Sequence, residues 1–181
     1  GRPLHVYDLR KLRGGIDVRF GRAGEQLKLL NDQVVTVDES VLCITDDSGP
    51  IGLAGIMGGD STKADLSTTD ILLESAFFTP EVIAGRAKRY GFSSDASHRF
   101  ERGVDYALQV SAMERATQLL VEICGGEVAP VVAVESEADL PKPNKVALRR
   151  TKLDNLLGHH IADADVVEIL ERLGLTVEAS E

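Results

Sequence analysis

Only two cysteines occur among the 181 residues, Cys43 in a strand-like run and Cys124 just ahead of Gly125-Gly126. Two thiols form no disulfide framework and their spacing matches no metal motif, so both are expected as buried free thiols in a reducing compartment. The chain has no apolar run near the roughly 20 residues of a membrane span. It opens on Gly1-Arg2-Pro3, without the basic start and apolar stretch of a secretory signal. These features lead to the expectation of a cytoplasmic protein that does not engage a membrane. Basic residues are in deficit, 20 against 29 acidic ones for a net charge of −9, a poor balance for a general nucleic-acid binder. No internal repeat or low-complexity tract is present. Hydrophobic residues make up 43% of the chain, enough for a packed core, which excludes disorder. The length suits one domain, or one domain and part of a second.

The first half reads as strands. Ile16–Phe20, Gln26–Leu29 and Val34–Val37 alternate, with Asn31-Asp32 as a hairpin turn between the last two. Val41–Thr45 and Ile51–Ala54 flank the turn cluster Asp46-Asp47-Ser48-Gly49-Pro50, and Ile71–Leu73 runs into Glu74. Thr79-Pro80-Glu81 is written as a helix start, and Gly91 as its end. Asp105 is expected to cap a second helix with an inward stripe of Leu108, Met113, Ala116, Leu119, Leu120 and Ile123, stopped by Gly125-Gly126. Val128–Val134 is predicted as a strand. Leu140-Pro141-Lys142-Pro143-Asn144 then reads as a linker. Beyond it lie a short strand at Lys145–Leu148, a helical turn at Thr151–Leu157 and an amphipathic helix over Asp163–Leu173. Val166, Val167, Leu170 and Leu173 face inward in that helix, Gly174 ends it, and a strand begins at Leu175-Thr176-Val177. This predicts an α+β domain over residues 1–140 and, over 141–181, a linker with the opening of a second, small α/β module.

The densest chemistry lies between Gly91 and Asp105, where hydroxyls, two carboxylates, His98 and two arginines crowd a loop. Buried and unpaired, each such group costs roughly 1–3 kcal/mol, so the stretch is expected to bind something. From Arg86 to Arg102 five basic side chains (Arg86, Lys88, Arg89, Arg99, Arg102) stand against Asp95 and Glu101, a local excess that suits either a phosphate backbone or a solvated helix face. Ser94, Asp95 and His98 are the residue types of a hydrolytic triad, but five consecutive positions do not converge on one point. No Gly-x-Ser-x-Gly elbow supports it. The hydroxyl and amides of Ser94–Ala96 suit a polar ligand better.

Glu74 ends an apolar strand, a costly place for a carboxylate without partners. It serves either as a structural group, capping the helix near Thr79 or pairing with Arg99, or as a pocket acceptor for a ligand hydroxyl; the residues leave both open. His5 is either structural, oriented by Asp8, or a neutral imidazole that positions or deprotonates a water. The run from Gly52 to Gly59 holds four glycines in eight residues. Without the Lys-Ser/Thr of a P-loop it reads as an ordinary turn or as a tight bend under a small-ligand pocket. A metal site built from His5, Glu74 and Asp95 is not supported by spacing, and no metal is assigned.

Four motifs carry a family likeness: Pro3-Leu4-His5-x-x-Asp8, Ala54-Gly55-Ile56-x-Gly58-Gly59, Leu73-Glu74-Ser75-Ala76-Phe77-Phe78 and Asp95-Ala96-Ser97-His98-Arg99-Phe100-Glu101-Arg102-Gly103-Val104-Asp105. Extended by Met113-Glu114-Arg115-Ala116-Thr117, they resemble the bacterial phenylalanyl-tRNA synthetase beta subunits over the whole chain. The resemblance implies the editing domain of that family, a layered mixed sheet with packed helices, followed by the start of the next module. It further implies hydrolysis of tyrosine wrongly esterified to the phenylalanine tRNA. Glu74 would accept the tyrosine phenol, Ala54 and Gly58 would shape the side-chain pocket, Ser94 and Ala96 would hold the amino-acid end, and His5 would place the attacking water. The implied partners are the alpha subunit in a heterotetramer, tRNA(Phe), and tyrosine or its ester. ATP and magnesium would serve the whole synthetase, with no cofactor in this stretch. A non-catalytic scaffold that binds tRNA or protein is the alternative. The family usually has His-Thr at Ser93-Ser94, so a methyl is lost and a hydroxyl kept. Its His-Ala-Phe-Asp reads His5-Val6-Tyr7-Asp8, a change expected to affect packing more than polarity. The family's editing domain is expected to begin upstream of Gly1, leaving strands and a basic pocket residue outside the chain.

Overall fold

The computed structural model describes residues Pro3–Glu178, so the end of the strand expected after Leu175, at Glu181, lies outside the described residues. The chain divides into two compact units, Gly1–Leu140 and Pro141–Glu181. In the first, strands β1 (His5–Asp8), β2 (Asp17–Phe20), β3 (Gln26–Lys28), β4 (Val34–Thr36), β5 (Leu42–Asp46), β6 (Gly49–Leu53), β7 (Met57–Gly58) and β8 (Ile71–Glu74) precede the helices. These are α1 (Pro80–Ile83), α2 (Arg86–Arg89), α3 (Asp95–Phe100) and, after a 3-10 turn at Tyr106–Leu108, α4 (Gln109–Cys124). The second unit holds α5 (Arg150–Leu157) and α6 (Asp163–Arg172).

The α+β class holds, but no sheet among the described residues is mixed. The strands form an antiparallel sheet in the order β2-β5-β6-β7 and two antiparallel pairs, β1-β8 and β3-β4. Short turns explain the β3-β4, β5-β6 and β6-β7 pairings, since they can join only antiparallel neighbours. Asp32 takes the left-handed conformation (φ 66°) that closes the β3-β4 hairpin, and the Asn31 carboxamide oxygen accepts from the Gln33 amide. A bridge from Leu29 to Gly59 ties this hairpin to the larger sheet.

The core gathers Tyr7, Leu27, Leu29, Val35, Val37, Val41, Cys43, Ile44, Ile51 and Leu53 from the strands with Phe78, Ile83, Ala87 and Phe100 from the helical side. Gly55 sits where those two sets meet, at φ 65°. A Cβ there would fall 2.8 Å from a ring carbon of Phe78 and 3.1 Å from one of Phe100. Only glycine meets both demands, and its absent side chain lets the two phenylalanines pack edge to face at 5.1 Å.

Several expected elements differ. The helix drawn from Thr79 to Gly91 is two short helices broken at Gly85, whose φ of 74° no helix continues through. Pro80 starts it as expected, while the Thr79 side chain makes no capping bond. The stretch read as a loop contains α3, begun by a reciprocal capping box between Ser94 and Ser97. Asp105 caps the 3-10 turn before α4 by accepting from the Ala107 amide. Within the α4 stripe Met113, Ala116 and Leu120 are half-buried and Leu108, Leu119 and Ile123 are exposed. Val128–Val134 forms no strand, and Val134 is 94% exposed. Val128–Val134, Lys145–Leu148 and Leu175–Val177 all have strand-like residues but find no edge to pair with, and β-propensity alone does not make a ladder. Cys43 is buried as expected, and burial pushes its thiol up to about 11. Cys124, at the last residue of α4, is exposed instead.

Candidate functional site

Strand β1 alternates its faces, so His5 and Tyr7 point one way and Val6 and Asp8 the other. Pairing with β8 sets Glu74 directly opposite His5. The turn between β6 and β7 then brings Gly58 beneath the imidazole. A Cβ on Gly58 would fall 2.5 Å from His5 Nε2 and closer still to Cε1, so the ring lies on bare backbone. From the other side the N-terminal end of α3 contributes Ser94 and Ala96.

These residues line an open cavity of about 230 Å³, formed by His5, Tyr7, Gly58, Glu74, Ser94 and Ala96 together with apolar side chains that include Leu30, Ile44, Leu53 and Phe100. Its volume falls below the roughly 300–1,000 Å³ of pockets that hold drug-sized ligands, and suits a single amino-acid side chain. Five of the expected site residues (His5, Gly58, Glu74, Ser94 and Ala96) therefore share one space. Ala54 does not join them: it is buried in the core directly after β6.

His5 Nε2 is buried and has no hydrogen-bond partner. Burial holds the imidazole below its ordinary range, so the ring is neutral at pH 7. Asp8 does not orient it. Its carboxylate, on the opposite face, accepts from the Thr68 hydroxyl at 2.8 Å and the Arg10 amide at 3.0 Å, and pairs with Lys11. The Thr68 bond is the main reason that its carboxyl lies below the usual range.

Glu74 takes neither structural role expected of it. Arg99 turns back to the Asp95 carbonyl at 3.1 Å, and Glu74 Oε2 instead accepts from the Tyr7 hydroxyl at 2.6 Å. Burial raises the Glu74 carboxyl above its ordinary range, and the Tyr7 bond pulls it partly back. Burial, then the charge of Glu74, pushes the Tyr7 phenol far up, so it stays a neutral donor. The change to tyrosine at position 7 thus alters polarity as well as packing, because its hydroxyl reaches a carboxylate. The signal for it was the shared face of residues 5 and 7 in an alternating strand.

The Ser94 hydroxyl is occupied by the fold: it donates to the Ile56 carbonyl at 2.6 Å and accepts from the Ser97 amide at 3.0 Å. Ser94 caps α3 and its hydroxyl is bonded to Ile56 and Ser97, not to His98, so the two do not form a nucleophile–base pair. The basic run is drawn into local contacts, Arg89 with Asp38, Arg99 with Asp95, Arg102 with Glu101, and Arg86 on the Ser40 carbonyl. Among the described residues no group of three or more His, Cys, Asp or Glu side chains is placed to hold a metal ion. The glycine run offers no phosphate cradle either, since Gly58 is covered by His5 and the Gly59 amide donates to the Ile51 carbonyl at 2.7 Å. No helix of the described residues is long and apolar enough to cross a membrane.

Comparison with known proteins adds the family. Residues 1–125 match the B3/4 domain. The chain belongs to the B3/4 domain family. All the elements that line the cavity fall inside the matched stretch. The chain is also 68% identical to the phenylalanine–tRNA ligase beta subunit of Vibrio parahaemolyticus over 181 residues, which is 100% of this chain and 23% of that protein. It is 59% identical to the Vibrio cholerae subunit over 180 residues, 99% of this chain and 23% of the relative. With the Shewanella oneidensis subunit the identity is 51% over 181 residues, again 100% of this chain and 23% of the relative. The chain thus spans about a quarter of the length of the curated relatives that it matches.

Proposed function

We propose that the cavity beside β1 and β8 is an editing site that hydrolyses tyrosine esterified to tRNA(Phe), within the beta subunit of a phenylalanine–tRNA ligase. The observation that carries this reading is the placing of one carboxylate, Glu74, and one neutral, unpartnered imidazole, His5, in a single small and otherwise largely apolar cavity. Glu74 accepts the phenol hydroxyl of tyrosine. Phenylalanine lacks that group and would leave one oxygen of the buried carboxylate, the one not bonded to Tyr7, without a partner, a discrimination that a purely apolar pocket cannot achieve. Gly58 gives the ligand and the His5 ring their room, and Ser94 and Ala96 form the wall for the amino-acid end.

His5 holds a water near the ester through Nε2. The water oxygen attacks the ester carbonyl carbon, the bond to the ribose oxygen breaks, and that oxygen leaves with a proton that originated on the water. Tyrosine departs as the free carboxylate, and the second proton of the water passes to solvent. An aminoacyl ester is already activated, so placing the water is the main requirement and no side-chain nucleophile is needed. ATP and magnesium belong in this reading to the synthetic reaction of the whole enzyme with its alpha subunit, and no editing step passes through them.

Deacylation of Tyr-tRNA(Phe) and Phe-tRNA(Phe) by the full-length protein tests the assignment. Glu74→Ala is expected to abolish the preference for tyrosine, and His5→Ala to slow hydrolysis of the tyrosyl ester by about a hundredfold. If both variants release tyrosine like the wild type, the site is not here. Retained tRNA binding with no deacylation in any form would identify a binding scaffold instead.

A further inference from the structure

The Tyr7 side chain has no part in the reaction just described, yet it touches both groups that the reaction uses, one through its ring and the other through its hydroxyl. Its ring meets the His5 imidazole edge to face, with centroids 4.4 Å apart and planes at 72°. Its oxygen donates to Glu74 Oε2 at 2.6 Å across 67 residues of sequence. Tyr7 is only 1% exposed, and its backbone is held by pairing with Leu72 and by a bridge to Lys63. A donor so fixed is a rigid stop for a flexible partner. Glutamate has three side-chain torsions, and without the stop its carboxylate would be free to turn within the cavity.

We infer that Tyr7 is a positioning and specificity-determining residue of this cavity, whose hydroxyl holds Glu74 by Oε2 so that Oε1 is presented to the phenol of the ligand. A carboxylate has two oxygens and about four lone-pair sites, so it accepts both phenols at once. Holding it in one orientation lets the ligand hydroxyl meet an acceptor already in place, and the ordering cost is met by the fold before the ligand arrives. The inference rests on the editing reading for the identity of the ligand. The hold of Tyr7 on Glu74 does not depend on it.

Among the described residues, the titratable side chains lining the cavity are His5, Tyr7 and Glu74. Tyr7→Phe removes the hydroxyl and keeps the ring against His5, which makes it the informative variant. In the full-length protein it is expected to lower the tyrosine-to-phenylalanine deacylation ratio by about tenfold, the loss appearing in KM rather than kcat. Carbon-13 titration of the Glu74 carboxyl gives a second readout that a merely structural role for Tyr7 would not move. The Tyr7 bond lowers the Glu74 pKa, so Tyr7→Phe shifts that titration to higher pH. An unchanged ratio, or a ratio that rises because Tyr7 had been competing with the ligand, overturns the inference. So does an unmoved Glu74 titration. A wild-type protein with no preference for Tyr-tRNA would instead overturn the editing reading, and the titration would still decide whether Tyr7 holds Glu74.

Discussion

Gly58→Ala is the sharpest perturbation that this site allows, because it adds one methyl group at a known place. The backbone does not resist it, since Gly58 lies in β7 and is not among the glycines with positive φ. What resists is His5: the new Cβ would stand 2.5 Å from Nε2, where carbon normally keeps about 3.5–4.0 Å. The ring must therefore withdraw by at least about 1 Å, and the cavity in front of it provides the space. Overpacking of this kind costs about 1–3 kcal/mol, partly offset by the roughly 0.4–1 kcal/mol gained from replacing glycine in the unfolded chain. A shift of the water-positioning group by 1 Å costs on the order of a hundredfold in rate. Gly58→Ala should therefore unfold in urea close to the wild type, within about 2 kcal/mol, while single-turnover deacylation of Tyr-tRNA(Phe) falls about a hundredfold. The double variant His5→Ala/Gly58→Ala has no ring to displace, so it should match His5→Ala in rate. Full activity in Gly58→Ala would refute the reasoning, as would a double variant far slower than His5→Ala.

Two further outcomes follow from the electrostatics around β1. The folded-state pKa of Glu74 is raised by burial, so its contribution to stability is full below the unfolded value of 4.5 and is lost as pH rises through the folded value. Glu74→Gln removes that loss, and its melting temperature should exceed the wild type's at pH 7 by a margin that shrinks toward pH 4; a constant margin would count against a buried charge. Asp8→Ala deprives the Thr68 hydroxyl, the Arg10 amide and Lys11 of their acceptor and should lower the melting temperature. Because Asp8 faces away from the cavity, the tyrosine-to-phenylalanine deacylation ratio should stay as it is, and a changed ratio would connect the two faces of β1.

Much of the strand half was legible from residue pattern, because alternation and turn residues there act locally. Asn31-Asp32 closes β3-β4, and the turn cluster after β5 narrows to Asp47-Ser48, since pairing runs on to Asp46 and Gly49. What escaped was decided either by one residue or by a missing partner. Gly85 splits a helix that periodicity would continue, and a capping box with serine at its third helical position hides α3 inside a polar run. Val128–Val134 has the apolar residues of a strand, but Pro130 interrupts it and no neighbouring edge takes it up. At the cavity, residue types named His5 and Glu74, while Tyr7, standing where the resembled family has phenylalanine, reads from the sequence as a change in packing. Ser94 shows the converse, its hydroxyl being spent on Ile56 and Ser97.

The pairing of β1 with β8 has a kinetic consequence. Its two strands, four residues each, join segments 67 residues apart at the Tyr7–Glu74 bond. Closing so long a loop carries an entropic cost that local hairpins such as β3-β4 and β5-β6 do not bear, so those should zip first and this pair late. The same short ladder should be among the first to open in the native state, releasing His5 and Tyr7 together on one strand. The site then behaves as a single latch: amide exchange along β1 should report the fraction of molecules in which all of its chemistry is absent at once.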